Sequence, residues 1–312
     1  MNDLPATRRI VLPSPPAPDK RWAAVLPYAL IAPMFILVGT LVLHPMVRGL
    51  LVSLYGGRDL VPKPEDYVGL ANYVGLFHSP DLLNALRVTI VYTAGTVSLS
   101  VIVGMACALL FQAEFPGRGL ARAALTVPWG TPLVASALIW YWMYDPQYGL
   151  VNFVLRTTGI LSVNVSWFLS PSWALPAVVL VDVWRIFPFG AIVLLTALTA
   201  VDRTMYDSAQ VDGAGPVATF LHVTLPGIRP TVGILVLLFA IWSLKRFDTI
   251  WILTQGGPVD ATNVLAVEIY REAFRNFRIG TAAAIAMIGM VISAAITIGY
   301  FLLEHRRETQ TT

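Results

Sequence analysis

Two long apolar stretches are separated by DRTMYDSAQVDGAGPVATFLHVTLP, a polar, glycine-punctuated segment at residues 202–226. The segment is too long and too patterned to be a simple connection. Asp202 suits the N-cap of a short helix, and Gly213 allows a sharp turn after it. A second short helix is predicted to begin at Pro216 and to be ended by Pro226. The segment thus predicts two short helices outside the membrane.

The second of these predicted helices carries apolar side chains on one face. Val217, Phe220 and Leu221 recur at helical spacing, and acidic residues flank them. A short helix with an apolar stripe is typical of a ligand for a groove on another protein. The alternative, that the helix pair lies on the lipid surface by itself, stays open.

Composition places the chain in a membrane. It is 56% hydrophobic and only 12% charged, with a mean hydropathy of +0.70, outside the range of soluble domains. Uncharged or nearly uncharged runs of membrane length occur six times, at residues 26–43, 88–113, 123–144, 173–201, 231–254 and 280–303. The prediction is an all-α protein with six transmembrane helices, in which Pro45 kinks or ends the first.

The domain organisation follows from these runs. Residues 1–25 form a Pro-rich tail, residues 26–304 a six-helix transmembrane domain, and residues 305–312 a second tail. Lys and Arg are somewhat more frequent beside the termini and in the 202–226 loop than in the opposite loops, which favours cytoplasmic termini. Flanking arginines also explain the pI of about 9.1, and no basic run interleaved with aromatics predicts nucleic-acid binding.

Several catalytic classes are excluded by missing motifs. A phosphate-binding P-loop needs Gly-Lys-Ser/Thr, whereas Lys20, Lys63 and Lys245 follow Asp, Pro and Leu. The four histidines show no metal-ligand spacing, and the single Cys107 rules out an internal disulfide. The sequence therefore predicts a protein that is not an enzyme and binds no cofactor. Energy for active transport must come from a partner or an ion gradient.

The 202–226 loop resembles the signature of inner-membrane permease subunits of binding-protein-dependent ABC importers. That signature is E-A-A, two residues, D-G-A, five residues, F, two residues, an aliphatic, one residue and L-P. The corresponding residues here are Asp207-Ser208-Ala209, Asp212-Gly213-Ala214, Phe220, Val223 and Leu225-Pro226. Aspartate stands in place of the signature glutamate and Ser208 in place of the first alanine.

The resemblance implies a role for this loop. In the family it faces the cytoplasm and docks on a separate ATPase, so the expected coupling residues are Asp207, Ala209, Asp212, Gly213, Ala214, Phe220, Leu225 and Pro226. It also implies cytoplasmic termini, a location in the plasma (inner) membrane and ATP with Mg²⁺ on partner subunits. The implied partners are a second permease subunit in a heterodimer, two ATP-binding subunits, an extracytoplasmic solute-binding protein and membrane lipid.

A second constellation is charge inside the predicted spans. Asp182 and Arg185 lie three residues apart on one helix face, and Lys245, Arg246 and Asp248 lie in the predicted fifth span. Such charges should face one another or water. We hypothesise a substrate path formed by Asp182, Trp184, Arg185, Trp242, Lys245, Arg246, Phe247 and Asp248, because aromatic faces and charged donors suit a sugar. A purely structural salt bridge is the alternative.

The segment after the fifth span narrows the resemblance. Phe247-Asp248, Gly256-Gly257-Pro258 and Thr262 look like the carbohydrate branch, related to maltose and glycerol-phosphate permeases. The expected function is import of a sugar or polyol, and the basic residues also allow an anionic ligand. The loops at 145–172 and 255–279, with Tyr148 and Trp167 at the aqueous face, are candidate docking surfaces for a binding protein. A stand-alone ion-coupled carrier, or a membrane scaffold, remains the alternative.

Overall fold

The computed structural model describes residues 20–57 and 63–311, which are almost entirely helical. The helices are α1 (Lys20–Val38), α2 (His44–Val52), α3 (Ala71–Phe77), α4 (Pro80–Gln112), α5 (Arg118–Gly130), α6 (Leu133–Met143), α7 (Leu150–Thr157), α8 (Pro171–Ala200), α9 (Arg203–Val211), α10 (Pro216–Thr219), α11 (Leu225–Leu244), α12 (Asp248–Leu253), α13 (Leu265–Tyr270) and α14 (Ile279–Thr311). Most of the predicted tail at residues 1–25 lies outside the described residues.

The prediction of an all-α membrane protein is confirmed. In the described ranges, five helical segments are long and apolar enough to cross a membrane: Val25–Val52, Pro80–Gln112, Pro171–Ala200, Pro216–Leu244 and Ile279–Arg306. A sixth crossing requires α5 and α6 together, which meet at a bend of 98°. The last helix continues through the predicted tail at 305–312 as far as Thr311.

The prediction of a continuous third span at 123–144 is wrong. The helix ends at Gly130, and Thr131 and Pro132 adopt extended backbone angles before α6 begins. Proline disfavours helical angles in the residue before it, and its ring removes a backbone N–H. A Gly-Thr-Pro sequence therefore allows the sharp turn between the two halves.

Pro45 was expected to kink or end its helix and Pro226 to end one, but both helices continue past the proline. Before Pro45 the chain forms a π turn at Gly39–Leu43, and before Pro226 it forms another at Phe220–Thr224. In each case the residue preceding the proline donates its N–H five residues back, to Gly39 and to Phe220. The wider turn accommodates the proline ring, so the helix passes through it.

The fifth span consequently differs from the predicted range 231–254. It runs without interruption from Pro216 to Leu244, so the second short helix of the loop is the start of the span itself. Residues 245–247 are not helical, and α12 begins after them. Lys245 and Arg246 thus lie in a break rather than in the outer half of a helix.

Residues 50–312 form one compact unit, and the helical segment up to Gly49 belongs to a second unit, described by itself. Within the larger unit, α4 packs along α8. An added Cβ on Gly104 would lie 3.2 Å from the backbone N of Ala191 and 3.3 Å from the carbonyl O of Phe187. Gly104 is therefore a point of close contact between the two helices, which only a small residue permits.

Candidate functional site

We call residues 202–226 the elbow, and its first helix begins as predicted. The Asp202 carboxylate accepts the backbone N–H of Thr204 at 2.9 Å and caps α9. The same hydrogen bond lowers the pKa of the Asp202 carboxyl, because it stabilises the ionised form.

The turn between the two elbow helices depends on Gly213. Its φ of +74° lies in the left-handed region, where a side chain is disfavoured. The N–H of Gly213 donates to the Gln210 carbonyl at 3.1 Å, and that of Ala214 donates to the Ala209 carbonyl at 2.9 Å. These bonds close the end of α9 before Pro216 starts the next helix.

The predicted coupling residues divide by exposure. Asp207, Asp212, Gly213 and Pro226 are exposed, whereas Ala209, Ala214, Phe220 and Leu225 are half-buried. Phe220 packs against the apolar core that α4, α8 and α11 share. A groove of about 570 Å³ lies beside it, lined in part by Leu109, Tyr206 and Val217.

The apolar face predicted for the second elbow helix is largely uncovered in this chain. Val217 is 72% exposed and Leu221 is 50% exposed, whereas Phe220 turns toward the core. Val211, at the end of α9, is 88% exposed. Several apolar side chains close together in one exposed segment are typical of a protein-binding surface.

The intramembrane charges meet at Asp182, which is completely buried. Its carboxylate accepts a hydrogen bond from the Tyr92 hydroxyl of α4 and one from the Thr249 hydroxyl of α12, at 3.3 Å. The Nε of Arg246 lies 3.4 Å from the same carboxylate. We call Tyr92, Asp182, Arg246 and Thr249 the charge cluster. It joins α4, α8 and the break in the fifth span.

The expectation that the charges face one another therefore holds for Asp182 and Arg246. Lys245 and Asp248 are exposed beside them. Arg185, one turn after Asp182, is half-buried and has no hydrogen bond or ion pair with any residue that the structure describes.

The three aromatic residues predicted for the path lie in separate contacts. Trp184 meets Trp140 edge to face, with ring centroids 5.6 Å apart. Trp242 stacks on Trp129 at 5.5 Å. Phe247 stacks on Trp251 at 5.4 Å. The structure thus does not gather these three side chains on one ring-binding surface.

Tyr92 and Thr249 were not among the site residues expected from the sequence. Tyr92 stands in an apolar run, and a buried tyrosine hydroxyl usually needs a partner, which was the available signal. That signal names no partner, because Asp182 lies 90 residues further along the chain.

One expectation about the loop at 145–172 is wrong. Trp167 is buried rather than exposed, since its indole N–H donates to Asn152 Oδ1 at 3.0 Å and its ring packs on Trp173. Tyr148, by contrast, is 86% exposed. Among the described residues, no group of three His, Cys, Asp or Glu side chains could hold a metal ion.

Comparison with known proteins gives concordant results. The chain is 33% identical over 280 residues to the trehalose/maltose transport system permease protein MalF of Thermococcus litoralis, covering 89% of this chain and 92% of that protein. It is 31% identical over 280 residues to the sulfoquinovosyl glycerol transport system permease protein SmoG of Agrobacterium fabrum, covering 90% and 89%.

Its fold matches a solved structure of a bacterial ABC transporter involved in the import of the acidic polysaccharide alginate. The TM-score is 0.78 at 23% identity, covering 92% of this chain and 99% of that chain. Residues 100–309 match the family model described as binding-protein-dependent transport system inner membrane component. The chain belongs to this family of inner-membrane permeases.

Proposed function

We propose that the chain imports a sugar or polyol as one permease of a complex whose ATP is hydrolysed on separate subunits. The family is one of transport permeases, so the chain is a transport component of the inner membrane and not an enzyme. Relatives named for trehalose/maltose and sulfoquinovosyl glycerol transport support a carbohydrate substrate. The family's own description supports an external binding protein as a partner.

The elbow is the proposed docking site for an ATPase subunit. Its exposed apolar side chains, with Asp207 and Asp212 beside them, suit insertion into a groove with a basic rim. In this arrangement the elbow and both termini face the cytoplasm, ATP and Mg²⁺ are held by the partners, and a second permease completes the path.

The observation that carries the proposal is the unbroken helix from Pro216 to Leu244. It has 29 residues, so it spans roughly 40 Å from the elbow to the break at residues 245–247. Arg246 in that break binds Asp182 of α8. Movement of the elbow by a docked ATPase would therefore reach the charge cluster through a single rigid element. We propose that the residues around this cluster, including Trp184, Arg185 and Trp242, line the substrate path.

Uptake measurements test this function. In membrane vesicles holding the whole complex, uptake of the sugar should require ATP and be blocked by vanadate. An ionophore alone should leave it intact. Uptake that collapses with the ionophore and ignores vanadate would favour an ion-coupled carrier and reject the proposal.

Gly213→Asp tests the docking role of the elbow. The change places a side chain at a left-handed φ and a charge in the proposed interface, so uptake should be lost while the protein remains in the membrane. Gly117→Asp is a matched control, because Gly117 has a φ of +81° and equally open surroundings. Normal uptake by Gly213→Asp, or equal loss in the control, would count against docking.

Labelling of Met205→Cys tests orientation. The side chain of Met205 is 51% exposed in α9. In a Cys107→Ala background, a membrane-impermeant thiol reagent should reach it only from the cytoplasmic side. Labelling from the outside would overturn the proposed arrangement.

A further inference from the structure

Together with its charged neighbours, the charge cluster carries an excess of one positive charge. Asp182 is the buried carboxylate, and its oxygens are engaged by Tyr92, Thr249 and Arg246. Arg185 lies within electrostatic range of Arg246 and Asp182. Asp182 and Arg246 balance each other, and Arg185 adds a second positive charge near them. The exposed Lys245 and Asp248 add one charge of each sign, so one positive charge remains in excess.

Arg185 carries this excess. Its Nε is shielded from solvent and has no hydrogen-bond partner within the described part of the chain. An arginine in a membrane span is costly unless it meets a counter-charge or water, so an unpaired one is a functional residue by default. Asp182 is already held by Arg246, and Asp248, the other carboxylate within electrostatic range of Arg185, is exposed and makes no ion pair with it among the described residues. We therefore look for the partner of Arg185 outside this network.

The kind of partner follows from the unsatisfied groups nearby. Trp140 Nε1 is also buried without a hydrogen-bond partner among the residues described. Indole and guanidinium nitrogens are donors only. Trp140 touches Trp184, which precedes Arg185 on α8. The missing group must therefore accept hydrogen bonds, and the excess positive charge favours an anion over a neutral acceptor. A bound cation would be repelled.

We propose that Arg185 is a specificity-determining residue that binds the anionic group of a saccharide in the substrate path, whether a carboxylate, a sulfonate or a phosphate. This inference rests on the proposed function and names its substrate class. The planar guanidinium can hold two oxygens of such a group at once, and the half-buried Trp184 beside it offers an apolar face to the sugar ring. Asp182 keeps Arg246 in place and leaves Arg185 for the substrate.

A matched pair of disaccharides tests the proposal. Cellobiouronic acid and cellobiose differ by a carboxylate in place of a hydroxymethyl group. We expect the purified complex to bind the acid at least tenfold more tightly in equilibrium dialysis at low salt. Raising the ionic strength should weaken that preference. Arg185→Gln should abolish it, and Arg185→Lys should keep part of it.

Arg118→Gln is the control variant, because Arg118 lies at the start of α5, outside the charge cluster, and donates to the carbonyl of Ala113 at 3.5 Å. It should retain the full preference. Each variant is first checked for assembly with its ATPase and for an unchanged melting temperature. A second variant, Trp184→Phe, should weaken the binding of both disaccharides equally, because the indole ring stacks on the sugar and not on the anionic group.

Two results would overturn the inference in different ways. Equal binding of the two disaccharides, with Arg185→Gln unchanged, rejects the anionic substrate while vanadate-sensitive sugar uptake preserves the proposed function. If the complex shows no ATP-dependent uptake of any saccharide, the proposed function fails and this inference fails with it.

Discussion

The elbow and the charge cluster use polar and apolar residues in opposite ways. In the elbow, Val217 and Leu221 are exposed and Asp207 has no ion pair in the described residues. In the charge cluster, Asp182 is fully buried and engages three other side chains of the same chain. The carboxylate of one region is partnered within the chain, whereas the apolar side chains of the other are exposed.

The difference separates residues that stabilise the fold from residues that act on another molecule. A buried, partnered carboxylate is costly to alter, because its partners lose their counter-charge. An exposed apolar side chain stabilises nothing in the isolated chain, so altering it should change only the assembled complex. Substitutions in the two regions should thus differ in what they affect.

Asp182→Asn should have the largest effect. Loss of the carboxylate leaves Arg246 buried without a counter-charge, which typically costs about 3–5 kcal/mol. We expect little folded protein and a lower melting temperature in detergent. Asp248→Asn, at an exposed position, is the control and should melt normally. A stable Asp182→Asn protein that fails to transport would instead indicate that Asp182 lines the substrate path. The charge cluster and the elbow would then not differ in the way described.

Val217→Asp should break transport without breaking the fold. A charge in the centre of a protein interface costs about 2 kcal/mol or more, which corresponds to a roughly thirtyfold loss of coupled uptake. The melting temperature of the isolated permease should not change, because Val217 is 72% exposed. Val74→Asp, at a residue that is 59% exposed in α3, should transport normally. A destabilised Val217→Asp would show that the elbow is packed within the chain.

Tyr92→Phe should lower the stability of the protein moderately. It deletes one hydrogen bond to the buried carboxylate, and such bonds to charged groups contribute about 1.5 kcal/mol or somewhat more. Thr249→Val should cost less, because its bond is long, at 3.3 Å. Thermal unfolding of the two variants would reveal the order. An inverted order would mean that Thr249 is the main anchor.

Glu268→Gln should give the smallest effect and the opposite sign. Burial raises the pKa of the Glu268 carboxyl, with Glu272 and Asp81 adding repulsion. A raised pKa means that the ionised form is disfavoured in the folded state, so stability is lost as the pH rises through that pKa. The amide removes this loss and should raise the melting temperature at pH 7.

The gain should disappear below about pH 4, where the carboxyl is protonated in both folded and unfolded chains. Asn263 donates to Glu268 at 2.8 Å, and the glutamine oxygen can accept the same bond. A lower melting temperature for the variant at pH 7 would show that the ionised carboxylate is compensated.

The sequence was sufficient for the parts of the fold that depend on local composition. Long uncharged runs predict spans, and the capping residue at Asp202 and the turn at Gly213 follow from local backbone chemistry. Glycine at a left-handed position and aspartate before a helix have the same effect in any fold. These expectations needed no knowledge of tertiary contacts.

The effect of proline could not be predicted in the same way. Pro132 lies at a break between two helices, whereas Pro45 and Pro226 lie within continuous helices, each after a π turn. The outcome depends on whether the preceding turn can widen, which local preference does not decide. The partners of Asp182 were equally hidden, because hydrogen bonds between helices join residues far apart in the chain.

The unbroken helix from Pro216 to Leu244 also constrains how the sequence can change. Each added residue turns one end of an α-helix by about 100° relative to the other. A single insertion or deletion within it would therefore rotate the exposed face of the elbow relative to Arg246 and the charge cluster. Divergence along this segment should proceed by replacement alone, whereas the loops at either side can vary in length.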